Sequence, residues 1–248
     1  MDDLSQQQMK RCQDYHWWFV ARRINIKTAL DRHLSTYNNT PIVEIGCGSG
    51  GNFDLLCRYR PVIGVELSRF AYLQSLNHSP SSLITVVNQD AHSFLEGRAG
   101  QFEVVCAFDV LEHMSDDEEV IGLVYNALKP SGLFFISVPL CPWLYSAHDR
   151  YLSHFRRYTR VELFRKLNNV GFQVVYSRAW LVLLFPALVI SRLAAGVRDK
   201  YGLDYEPPGV PPWFINSLLV FVHAVETRLC GLLNIQSGGS LVVVCRKA

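Results

Sequence analysis

One run of residues constrains the fold more than any other: Val43-Glu44-Ile45-Gly46-Cys47-Gly48-Ser49-Gly50-Gly51-Asn52. The β-rich stretch Ile42 to Ile45 reads as a strand, and a helix is expected over Asn52 to Arg58, so the glycines form a strand-to-helix turn. Such a turn can be tight, and a ligand can come close to its main-chain N–H groups where no Cβ stands in the way. Gly46, Gly48 and Gly51 also fit the spacing G-x-G-x-x-G of dinucleotide sites. The turn therefore asks for an open α/β sheet with a nucleotide-like ligand at one edge.

The rest of the chain agrees. Short apolar runs at Val62 to Glu66, Leu83 to Asn88, Val104 to Phe108 and Leu133 to Val138 alternate with helical stretches at Arg69 to Leu76 and Asp117 to Leu128, the last stopped by Lys129, Pro130 and Gly132. That alternation is the mark of parallel strands with helices on both faces. After Val138 the rhythm changes. A helix over Arg160 to Val170 has Thr159 as its cap and Gly171 as its stop, and the β-rich runs Phe172 to Tyr176 and Leu241 to Cys245 suit an antiparallel pair completing the sheet. Residues 181 to 238 form a helical insertion before the last strand, with a stiff connector at Tyr205 to Trp213 carrying Pro207, Pro208, Pro211 and Pro212. Residues 1 to 40 read as a helical lid, with Gln7 to Leu34 in one or two helices, and residues 41 to 248 as the main domain.

Composition narrows the partners. A net charge of +2 with no concentrated basic face argues against nucleic acid. The seven cysteines show no CxxC pair or metal spacing, so most are expected to be small buried thiols. Leu181 to Val197 is broken by Pro186 and Arg192, and Phe214 to Ile235 contains His223, Glu226 and Arg228, so neither is expected to span a membrane, although both leave room for peripheral contact. The polar start MDDLSQQQMK lacks the order of a secretory signal, so a cytoplasmic protein is expected. A monomer and a homodimer both remain open.

Three acids sharpen the ligand. Glu44 closes the first strand, where a dinucleotide pyrophosphate would be repelled but the cationic end of S-adenosylmethionine would be attracted. Glu66 closes the second strand, placed to accept from both ribose hydroxyls, and Asp90 follows the third, placed to accept from an adenine amino group. The runs EIGCGSGGNF, GVELS, QDAHSF, FDVLEHM and LKPSGLFFISVP, in that order, resemble the class I methyltransferases that use S-adenosylmethionine. HWWFVARR and HDRYLSHFRRYTRVEL are similar to a bacterial small-molecule subgroup of that family.

The resemblance implies a Rossmann-like sheet of seven strands, mostly parallel, with the last strand antiparallel. It implies that Glu44, Gly46, Gly48 and Gly50 hold the methionine part, with Cys47 and Asn52 in the same turn. Glu66 with Leu67 would take the ribose, Asp90 with Ala91 the adenine, and Asp109, Val110 and Leu111 would line the pocket near the transferring methyl. Trp18 and Arg22 suit a lid, an arginine pairing with the methionine carboxylate. The reaction expected is methyl transfer to an O, N or C atom of a small molecule, hydrophobic acceptors included. For a hydroxyl acceptor, His148 with Asp149 beside it is the first candidate base and His154 the second; His113, Asp149 and Arg157 are the residues expected at the substrate. No metal is expected from His148, Asp149 and His154, whose spacing matches no strong ligand pattern. Two alternatives stay open: an NAD(P)-dependent oxidoreductase, and a non-catalytic module that binds S-adenosylmethionine for regulation.

Overall fold

The computed structural model describes residues 12–34, 39–77, 82–200, 209–233 and 237–248. Residues 7–11 of the expected N-terminal helix and 205–208 of the expected connector lie outside them. Helix α1 (Trp17–His33) is followed by β1 (Ile42–Ile45), α2 (Phe53–Leu56), β2 (Val62–Glu66), α3 (Arg69–Ser75), β3 (Ile84–Asn88), α4 (Ala91–Leu95) and β4 (Phe102–Phe108). Then come α5 (Asp117–Ala127), β5 (Leu128–Pro139), α6 (Ala147–Tyr151), α7 (Arg160–Val170), β6 (Phe172–Trp180), α8 (Phe185–Lys200), α9 (Trp213–Leu233) and β7 (Ser240–Lys247).

The strands form one seven-stranded sheet in the order β3-β2-β1-β4-β5-β7-β6. β1 to β5 pair in parallel, and β7 runs antiparallel between β5 and β6. Side chains alternate across it, as a pleated strand buried on both faces requires. Val105 and Ala107 of β4 enter one core layer with Val120 and Ile121 of α5 and Leu163 of α7. Val104 and Cys106 enter the other, with Ile26 and Leu30 of α1 and Phe53 of α2. The strand order reverses between β1 and β4, so a crevice opens at their carboxyl ends, where open α/β sheets take ligands.

Helix α1 starts at Trp17, preceded by a turn in which Tyr15 and His16 N–H both reach Cys12 O. Three sequence expectations change. The residues expected to end the helix before β5 are already in the sheet, since Leu128 pairs with Phe102 and Ser131 bridges the register shift at φ +63°. β6 runs on to Trp180 because its pairing with β7 continues to Ser240. His148 and Asp149 sit in the short helix α6 rather than a loop, where Ser146 and Asp149 form a capping box. Cys47, Cys106 and Cys245 are buried free thiols, and Cys12, Cys57 and Cys141 are half-buried.

Candidate active site

At the end of β1 the chain turns through Gly46 at φ +64°, and a Cβ there would lie 2.6 Å from Val110 Cγ2. Only glycine meets both demands. The turn carries Glu44, 1% exposed, whose Oε1 accepts from Asn52 Nδ2 at 2.6 Å. Its Oε2 is buried without a partner, and burial pushes the carboxyl up to about 7. Glu66 ends β2 and accepts from Gly48 N–H at 2.8 Å and Ser68 N–H at 2.7 Å, so it ties the glycine turn to the second strand. Burial raises the Glu66 carboxyl, and these backbone donors oppose the rise. Leu67, 71% exposed, presents an apolar surface beside it. Asp90 caps α4 by accepting from Ser93 N–H at 2.8 Å, which lowers its pKa, and Ala91 is the first residue of that helix.

Helix α1 closes over the turn. Arg22 donates to Asp109 Oδ2 at 3.0 Å and to Asn52 Oδ1 at 3.4 Å, with its guanidinium 5.4 Å from the centre of the Trp18 ring. Asp109 sits just past β4 at φ +56° and takes a hydrogen bond from Ser137 Oγ at 3.1 Å. Val110 is buried against the glycine turn, whereas Leu111 is fully enclosed in the core. Gln13, which sequence reasoning passed over, accepts from Ser49 Oγ at 2.8 Å and fills the space where a Gly51 Cβ would stand. Arg23 fixes that segment by donating to Gln13 O at 2.6 Å. A glutamine in a polar N-terminal stretch carries no sequence signal for such a role.

A second polar group lies where β5 hands over to α6. Asp149, fully buried, accepts from His154 Nδ1 at 3.0 Å and from Arg157 Nε at 2.8 Å through Oδ1, and from Ser146 N–H at 3.0 Å through Oδ2. Burial alone would raise the Asp149 carboxyl, but the His154 hydrogen bond and the Arg157 charge outweigh it and hold it well below the usual range. The carboxylate expected to orient His148 is thus committed to His154 and Arg157. Burial, together with the Arg192 charge, drives His148 down to about 3. His113 packs its ring edge-on at 4.6 Å from that of His154, and burial holds it down at about 4. Glu112, on the same turn as His113, is buried with its Oε2 unpartnered; burial and then the Asp109 charge push it well up. Donor atoms of Glu112, His113 and His154 lie within 4.8 Å of one another, close enough to share a divalent ion, a grouping the spacing of His148, Asp149 and His154 does not reveal. An acid next to a histidine in an otherwise apolar turn after β4 was the available signal for Glu112.

The family model described as "Methyltransferase domain" matches residues 7–177. The chain belongs to the methyltransferase domain family. It is similar to the ubiquinone biosynthesis O-methyltransferase of Methylococcus capsulatus, 29% identical over 98 residues, which is 38% of this chain and 41% of that one. It is also similar to the mitochondrial ubiquinone biosynthesis O-methyltransferase of Dictyostelium discoideum, 23% identical over 203 residues, which is 75% of this chain and 59% of that one. The matches thus span about half the length of these relatives. A crystal structure of an S-adenosylmethionine-dependent methyltransferase from Archaeoglobus fulgidus superposes with a TM-score of 0.57 at 18% identity, covering 91% of this chain and 94% of that one, which establishes a common fold.

The methyltransferase cofactor suits the crevice on this structure's own evidence. The unpartnered Glu44 Oε2 asks for a cation or a donor, and an α-ammonium supplies both. Both Glu66 oxygens keep a lone pair beyond their backbone bonds for ribose hydroxyls. Arg22 is already held at the mouth of the turn, where a carboxylate can take it over. The oxidoreductase alternative is left without support, since the family is that of methyltransferases.

Proposed function

We propose that the chain transfers a methyl group from S-adenosylmethionine to a hydroxyl of a small, apolar acceptor. The observation that carries this reading is the Asp149–His154 pair, a buried carboxylate bound to one ring nitrogen of a histidine whose ring packs against His113 in the turn after β4. Such a pair fixes the tautomer and leaves the other nitrogen free to take a proton as an oxygen attacks. His148, held near 3, is a far weaker base at physiological pH. The cofactor, when bound, supplies an electrophilic methyl on a good leaving group. Glu44 and Arg22 bind its charged end, Glu66 and Leu67 its nucleoside, and Asp90 with Ala91 its base. Asp109 sits between the two halves, held by Arg22 on one side and Ser137 on the other.

The apolar acceptor is supported by the insertion after β6, whose helix α8 packs against α6 and whose helix α9 packs against α1, and by the relatives named for ubiquinone biosynthesis. Residues 181 to 238 act as a substrate cover and residues 1 to 40 as the lid. Labelled-methyl transfer into catechol-type and aliphatic acceptors of graded polarity tests the reading. Transfer should favour apolar hydroxyls and be lost in His154→Ala; equal use of very polar amines would sink it.

A further inference from the structure

Helix α9 is inside out. Its inward side carries Asn216, His223 and Glu226, the last two buried, while its outward side shows Phe214, Leu218 and Phe221, the three lying on one stripe at helical spacing. Trp213 is 80% exposed and Phe221 65%. Soluble helices put these faces the other way round.

The orientation is pinned by hydrogen bonds. Asn216 accepts from Trp17 N–H and donates to Tyr15 O, each at 2.8 Å, which anchors the first turns on the lid. His223 Nε2 meets Asn25 Nδ2 at 2.7 Å. Glu226 Oε2 accepts from Val182 N–H at 2.8 Å and from Leu183 N–H at 2.7 Å, capping the free donors where β6 ends. Rolling the helix to hide its apolar stripe would orphan all of these groups. The apolar face is therefore held outward by the fold itself, and Ile190 and Leu193 of α8 are exposed as well.

We infer that this outer face of α9 is a lipid-docking surface that settles in the headgroup region of an anionic bilayer. Charge selects that occupant. Among the described side chains of α8 and α9 the only carboxylate is Glu226, which is buried, whereas Arg228 is exposed and lies on the same helical stripe as Phe214, Leu218 and Phe221. Among its described side chains the face therefore offers apolar residues with an exposed cation and no exposed carboxylate, the composition of helices that lie in a lipid interface. Trp213 stands at the helix start, the kind of position that interfacial indoles occupy. A second copy of this face would offer Arg228 no carboxylate among its described side chains. Among the described residues no helix is long and apolar enough to cross a membrane, so the contact is with one leaflet. The inference rests on α9 alone; added to the proposed methyl transfer, it gives the apolar acceptor a place to be met.

The test uses the full chain and vesicles of phosphatidylcholine with and without phosphatidylglycerol. Flotation should carry the protein with the anionic vesicles, with binding about tenfold or more above that to the neutral ones, and Trp emission should shift to the blue. The triple change Phe214→Ser, Leu218→Ser, Phe221→Ser should lower that binding about tenfold or more, while S-adenosylhomocysteine still raises the melting temperature of the variant. That last readout shows a folded cofactor site and is independent of the lipid question. Absence of flotation, or flotation unchanged in the triple variant, overturns the inference. So does a dimer on gel filtration that the same three changes dissolve, which would assign the face to a second copy.

Discussion

The cofactor crevice and the α8–α9 insertion use polar groups in opposite ways. In the crevice a thin layer of acids and glycines sits on strand ends above two apolar core layers, so hydropathy and burial agree except at the ligand. In the insertion the polar side chains point in and the apolar ones out. In the crevice the buried carboxylate of Glu44 keeps Oε2 unpaired, while Oε1 takes a side-chain amide. In the insertion Asn216 bonds only to backbone and Glu226 accepts two backbone N–H groups through Oε2, with Oε1 3.5 Å from His223 Nδ1, and their work is to orient a helix.

That contrast can be broken at several points. The largest effect is expected for Glu66→Ala, which removes two charge-assisted hydrogen bonds to a ribose and costs roughly 3 kcal/mol of S-adenosylhomocysteine affinity by calorimetry. His154→Ala should lower the methylation rate about 100-fold while leaving S-adenosylhomocysteine binding intact, and His148→Ala should leave the rate within a few-fold. If His148→Ala is the slower of the two, the Asp149–His154 pair is structural. Glu44 gives a pH signature. Its empty-protein pKa is raised to about 7, and the cationic ligand binds the carboxylate, so affinity should fall about tenfold per unit as pH drops below about 7. Glu44→Gln should flatten that slope. In the insertion, Glu226→Ala leaves Val182 and Leu183 N–H without their acceptor and should destabilise by about 1 to 3 kcal/mol in urea. Phe214→Ser, on the outward face, should change stability by less than about 0.5 kcal/mol.

Much of the crevice was legible because its residues sit beside strands that announce themselves. Ile42 to Ile45 and Val62 to Glu66 are found where periodicity puts them, and the acids at their ends follow automatically. What was not legible depends on distance along the chain. Arg22 meets Asp109 across 87 positions, and Asn25 meets His223 across 198. The choice between His148 and His154 turned on a single short helix, since α6 aims Asp149 at a histidine five positions on instead of its own neighbour. β6 outran its apolar run because β7 pairs with it to Trp180, where Ser177 and Arg178 carry no strand signal of their own. The face of α9 was beyond periodicity altogether, which locates a stripe but not the side that meets the protein.

The unpaired carboxylate of Glu44 also bears on folding stability. A buried group whose folded pKa lies above its unfolded value favours the native state fully below about pH 4.5, and that advantage is gone once pH has risen through about 7. Near neutrality the empty protein therefore folds against its own recognition group, and the ligand removes the penalty. Any ligand that binds the folded chain alone offsets that penalty by mass action, so the melting temperature should rise with S-adenosylhomocysteine more steeply near neutral pH than at about pH 5.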